Sequence, residues 1–179
     1  MITSGEIREL ALTQGVRQEV IEKDYVLGWV LAGTYNITES ESWIFKGGTD
    51  LKKCYFYNYR FSEDLDFSLE DTSGLREESL RVVLNKIIDW VYDNSGIEIS
   101  KTKSIIETFQ NSDLRQVAQI RLYYHGPVGP SSPQQWPRIK YDLTGGELIT
   151  DTPVLRKVYH PYSDINEELF KASCYSFTE

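Results

Sequence analysis

Asp64 and Asp66 stand two residues apart in the segment Asp64-Leu65-Asp66-Phe67-Ser68-Leu69. Side chains on a strand alternate faces, so both carboxylates point one way while Leu65 and Phe67 point into the core. Two close carboxylates repel, and burial sharpens the repulsion. A Mg²⁺ ion offsets it, because that ion takes oxygen ligands and commonly joins one or two carboxylates to substrate phosphates. An isolated D-x-D is common, and on its own it fits two solvated acids on an exposed strand face equally well.

A second group raises its meaning. Gly47-Gly48-Thr49 follows the short apolar run Trp43-Ile44-Phe45 and precedes DLKKCYFY. This is a strand-to-helix junction where glycines let a ligand approach the backbone, free N–H groups attract anions, and Thr49 adds a hydroxyl and a candidate helix cap. An ordinary capped turn is the competing reading. Lys46, just before the glycines, can neutralise phosphate charge. Arg60 and Ser62 precede Asp64 in the intervening loop, where Arg60 could instead pair with Glu63. A third acid, Asp142, lies in Arg138-Ile139-Lys140-Tyr141-Asp142-Leu143-Thr144, with Lys140 on the same face. Asp142 could complete a metal site or act as a general base, and Lys140 could meet a phosphate. A plain cross-strand ion pair is the alternative. The aromatic run Tyr55, Phe56, Tyr57 and Tyr59 reads as packing rather than as a base-stacking platform.

The elements that must position these residues follow from periodicity. A first short helix starts with Ser4 as cap and ends near Gly15; a second runs from about Arg17 through Leu31, apolar nearly all round in its later half. Residues 65–69 read as a strand and 75–93 as an amphipathic helix bearing Leu80, Val83, Leu84, Ile87, Trp90 and Val91. The second half is strand-rich: IEISKTKSIIETF, QVAQIRLYYHG, PRIKYDLTG and PVLRKVYH, with GPVGPSSPQQWP as a turn-rich break. The expected fold is α+β, helices packed on a mixed or antiparallel sheet.

Composition narrows the class. The 179 residues suit one domain, with residues 1–40 as a helical part and 41–179 as the α+β core. The formal net charge of −8 argues against a broad nonspecific nucleic-acid binder while allowing a local basic patch. No apolar run is long enough to span a bilayer, and MITSGEIREL lacks the features of a signal peptide, so no membrane partner and a cytoplasmic location are expected. Cys54 and Cys174 are far apart in sequence and read as two reduced, buried thiols; with His125 and His160 they show no zinc-ligand spacing.

The segments EKDYVLGWVL, WIFKGGTDLKKCYF, RFSEDLDFSL and RIKYDLT together resemble the AbiEii/AbiGii nucleotidyltransferase family, from about Glu22 to the end of the chain. Members include toxins of type IV toxin–antitoxin and abortive-infection systems. The resemblance implies a polymerase-β-like core that uses Mg²⁺ (or Mn²⁺) and a nucleoside triphosphate (NTP), releases pyrophosphate, and acts on an acceptor that in some relatives is tRNA. A cognate antitoxin is an implied partner. Matched by position, the family's first motif falls on Gly48, Thr49, Asp64 and Asp66, with Lys46 and Ser62 beside it, and its K-x-D motif on Lys140 and Asp142. The family usually continues past the C-Y-S-x-x-E segment into a helical half that CYSFTE does not reach. The expectation is therefore a shortened or degenerate form that transfers poorly, with apolar surface near Tyr175 and Phe177 open to dimerisation. The expected acceptor is RNA or protein; a small-molecule nucleotidyltransferase and an inactive binding module are the competing functional readings.

Overall fold

The computed structural model describes residues 1–129 and 132–176. Pro130 and Ser131 of the turn-rich break, and Phe177 with its expected apolar edge, lie outside them. Helix α1 (Ser4–Gln14) is capped by Thr3, whose Oγ1 accepts from the Glu6 N–H at 3.2 Å, so the cap sits one residue before the expected Ser4. Helix α2 (Gln18–Tyr35) runs four residues past the expected Leu31 because its apolar surface continues through Ala32 into the core. Next come β1 (Ile44–Lys46), α3 (Gly47–Asp50), a π-helical continuation over Leu51–Tyr55, and β2 (Asp64–Leu69). Helix α4 (Glu77–Ser95) buries Leu80, Leu84, Ile87, Ile88 and Val91 on one stripe.

The strands β3 (Glu98–Ile99), β4 (Ile105–Gln110), β5 (Gln116–His125), β6 (Arg138–Gly145), β7 (Val154–Lys157) and β8 (Lys171–Cys174) complete the chain. The expected strand over residues 97–109 is split in two by a turn at Lys101–Lys103. Strand β8 was not legible: KASC is short and lacks an alternating pattern. The sheet order is β3-β5-β6-β2-β1-β8-β7, with β4 also on β5. The β2–β6 and β1–β8 pairs are parallel and the others antiparallel, giving the expected α+β fold with a mixed, mostly antiparallel sheet.

One sheet face builds the core. Leu65, Phe67, Tyr141 and Leu143 are fully buried with Tyr25, Leu27 and Val30 of α2, and side chains of this size contribute about 1.5–3 kcal/mol each when buried. The Tyr141 hydroxyl and Thr34 Oγ1 share a 2.7 Å hydrogen bond, which fixes β6 against α2. Gly28 allows His160 to lie against α2: a Cβ there would stand 2.1 Å from His160 Nδ1. The opposite, more open face carries the charged side chains.

Candidate active site

Strand register sets the open face. Lys46 of β1 pairs with Asp66 of β2, Asp66 with Asp142 of β6, and Asp142 with Gln119 of β5. Paired residues share a face, so Lys46, Asp66, Asp142 and Gln119 form one row across four strands. The neighbouring row runs from Asp64 to Lys140 to Arg121. The structure thus brings the three aspartates expected from sequence onto one face.

Their electrostatics follow from that placement. Burial, then the charges of Asp142 and Asp64, push the Asp66 carboxyl up to about 6 against a weaker pull from Lys46. Burial and the charge of Asp64 raise Asp142, opposed by a hydrogen bond from Gln119 and by the charges of Lys140 and Arg121. Lys140 Nζ stands 3.6 Å from Asp64 Oδ1, an ion pair beyond hydrogen-bond reach, and that oxygen is buried without a hydrogen-bond partner. Among the described residues the three carboxylates do not close into a set with all candidate ligand oxygens within 4.8 Å of one another. A divalent cation nevertheless fits this donor set: an orphaned carboxylate oxygen, a neighbouring carboxyl raised by burial and by its like-charged neighbours, and oxygen-only ligands.

The glycine junction borders the same face. Gly47 adopts φ +81°, and a Cβ on it would stand 2.3 Å from Asp66 Oδ2, so both backbone and space require glycine. Gly48 faces Ser62: its Cβ would meet Ser62 Oγ at 3.1 Å, with an Arg60 guanidinium nitrogen at 3.9 Å. Thr49 is not the helix cap expected from sequence. The left-handed turn at Gly47 starts the helix earlier, with extended Lys46 at the cap position, and Thr49 Oγ1 instead donates to the Asp64 carbonyl at 2.6 Å. Only Gly47–Asp50 are α-helical before the ladder turns π, so the expected helix-end attraction for anions falls chiefly to individual N–H groups and Lys46 rather than to a macrodipole. Arg60 lies over the Tyr59 ring, 6.0 Å from its centroid, and Glu63 pairs with Lys23 at 2.6 Å rather than with Arg60.

Several residues that position the site escaped the sequence reading. Lys46 Nζ is held by Glu147, which also takes the Ser68 hydroxyl and lies 3.3 Å from Arg115. Burial pushes the Glu147 carboxyl up, but the bonds from Lys46 and Ser68 and the charges of Lys46 and Arg115 outweigh it and hold it below its ordinary value. The consecutive charges Glu22, Lys23 and Asp24 in an otherwise apolar helix were a usable signal. Glu22 Oε1 accepts from the Val128 N–H at 2.6 Å, Lys23 holds Glu63 just before β2, and Asp24 accepts from Lys53 at 3.0 Å and Tyr162 at 2.8 Å. One turn of α2 therefore clasps four segments of the chain. Cys54 and Cys174, distant in sequence, meet beside Asp50 because β8 lies next to β1.

A mixed, mostly antiparallel sheet backed by helices is consistent with a nucleotidyltransferase-type fold. The family model described as "Nucleotidyl transferase AbiEii toxin, Type IV TA system" matches residues 29–179. The chain belongs to the AbiEii family. No curated protein matches the chain at a significant level.

Proposed function

We propose that this chain, as a single domain with residues 1–40 helical and 41–179 catalytic, transfers a nucleoside monophosphate from an NTP to an RNA hydroxyl. The reading rests on one observation above all: the Lys46–Asp66–Asp142 row, set by strand register, lies against the Gly47 turn. Asp64, Asp66 and Asp142 are the residues to hold Mg²⁺ or Mn²⁺, which when bound would screen the triphosphate and polarise the reacting phosphorus. The N–H groups of Gly47, Gly48 and Thr49, with Ser62, Arg60 and Lys46, hold the triphosphate. The acceptor oxygen bonds to the α-phosphorus, pyrophosphate leaves, and Asp142 takes the acceptor's proton.

The acceptor side favours RNA over a small cation. A depression of about 290 Å³ beside Asp142 is lined by Arg121, Arg138 and Lys140, cations suited to a phosphate backbone. Family membership supports a toxin restrained by a cognate antitoxin; action in phage defence and in the cytoplasm belongs to the same proposal. Among the described residues no helix is long and apolar enough to cross a membrane. The test is incubation of the full chain with each labelled NTP, Mg²⁺ and total RNA. Label should enter RNA slowly with the intact protein, as expected of a form that transfers poorly, and be lost with Asp64→Asn or Asp66→Asn while the circular dichroism is unchanged. Undiminished transfer by either variant overturns the assignment.

A further inference from the structure

We propose that Asp50, Cys54 and Cys174 form a binding site for a thiophilic divalent cation, Zn²⁺ in the first place, behind the glycine junction and separate from the carboxylate row. One candidate donor atom from each residue lies within 4.8 Å of the other two, and all three residues are buried. Asp50 ends α3, Cys54 lies in the π-helical continuation, and Cys174 ends β8 opposite Phe45 of β1.

A second observation points to a ligand. Asp50 is 3% exposed; its Oδ1 is buried without a hydrogen-bond partner, and the carboxylate's side-chain donors are the Cys54 and Cys174 thiols, whose protons the ion would replace. A buried carboxylate oxygen lacking a donor is costly, and native folds rarely keep one without an ion or water to meet it. The donor types select the ion. Two sulfurs and one carboxylate oxygen suit zinc and its neighbours, whereas Mg²⁺ takes oxygen ligands and keeps water. Both thiols are free, and binding exchanges their two protons for the ion. Two thiolates, one carboxylate and a divalent cation leave one negative charge. Arg156 answers it: its Nε donates to the Cys54 carbonyl at 2.7 Å and its charge acts on Asp50. Three protein donors leave a fourth position for a small ligand. Burial makes binding part of folding, the ion entering as β8 docks. Once bound, it ties the turn that follows Gly47–Thr49 to strand β8.

The test refolds the reduced full chain from denaturant with excess Mg²⁺ and one equivalent of Co²⁺ or Zn²⁺. Co²⁺ should give a thiolate-to-metal charge-transfer absorption at one ion per chain, displaced by Zn²⁺ with no loss of structure. Cys54→Ser and Cys174→Ser should each abolish that absorption, and Asp50→Asn should weaken binding by at least about tenfold. The double variant Asp64→Asn/Asp66→Asn should keep it. Absence of the absorption in a natively folded chain, its survival without both cysteines, or its loss with the open-face aspartates instead overturns the proposal. If a serine variant fails to fold, the unaltered chain decides. Its thiols should react at least about tenfold more slowly with a disulfide reagent in mild denaturant when refolded with Zn²⁺, and equal rates overturn the site.

Discussion

Asp66 carries its own pH signature. Its folded pKa of about 6 stands above the ordinary 3.8, so between those values the folded state holds a proton that the unfolded chain has released. That contribution favours folding at low pH and is lost as pH rises from about 4 to about 6. Asp66→Asn should therefore melt above the unaltered protein at pH 7.5 in chelator, and the difference should shrink toward pH 4. A constant difference across that range would place the cause elsewhere than charge. Gly47 is the other residue with no substitute. Gly47→Ala should cost about 1–3 kcal/mol from the left-handed backbone alone, with NTP binding lost as Asp66 is displaced. Urea unfolding and calorimetry read the two effects separately.

At the scale of elements, α2 works as a clasp as much as a core helix. Lys53 and Asp24 form a buried ion pair, with side-chain exposures of 1% and 7%. Removing one partner strands the other charge: Asp24→Ala should cost about 3–5 kcal/mol in urea unfolding, and the paired change Asp24→Asn/Lys53→Met distinctly less. If the single and paired changes cost the same, the pair does not act as a unit. Much of this layer was legible. The alternation around Asp64–Leu69 and Arg138–Thr144 fixed which side chains turn outward, because period two needs no tertiary information. Strand partners were not legible, since register depends on the whole sheet; hence Gln119 and Arg121 beside the acids went unseen. Glu147 follows two glycines in a loop, where no periodicity marks an acid as special. The meeting of Cys54 with Cys174 depends on the β1–β8 pairing, and β8 is too short to announce itself.

The whole molecule carries a net charge of −8 and gathers three acids at the face proposed for the triphosphate. Long-range attraction cannot bring an anion there, so affinity depends on local compensation. NTP binding measured by calorimetry should weaken by at least about tenfold when Mg²⁺ is withdrawn, an effect of 1.4 kcal/mol or more. Lys46→Ala should weaken it further, as a charge-assisted contact is worth about 1.5–3 kcal/mol. Equal affinity with and without the metal would separate nucleotide binding from the aspartates.

The parallel pairing of β2 with β6 also governs when the site can exist. Asp66 and Asp142 are neighbours in the sheet but stand 76 residues apart in the chain (142 − 66). A ribosome adding about 5–20 residues per second takes several seconds to deliver the second after the first. Throughout that interval the nascent chain has its glycine turn and its first two acids but no third, and strand β1 lacks its β8 neighbour. The carboxylate row is therefore complete only once Asp142 has joined β2, and the β1 edge is covered only once Cys174 has followed.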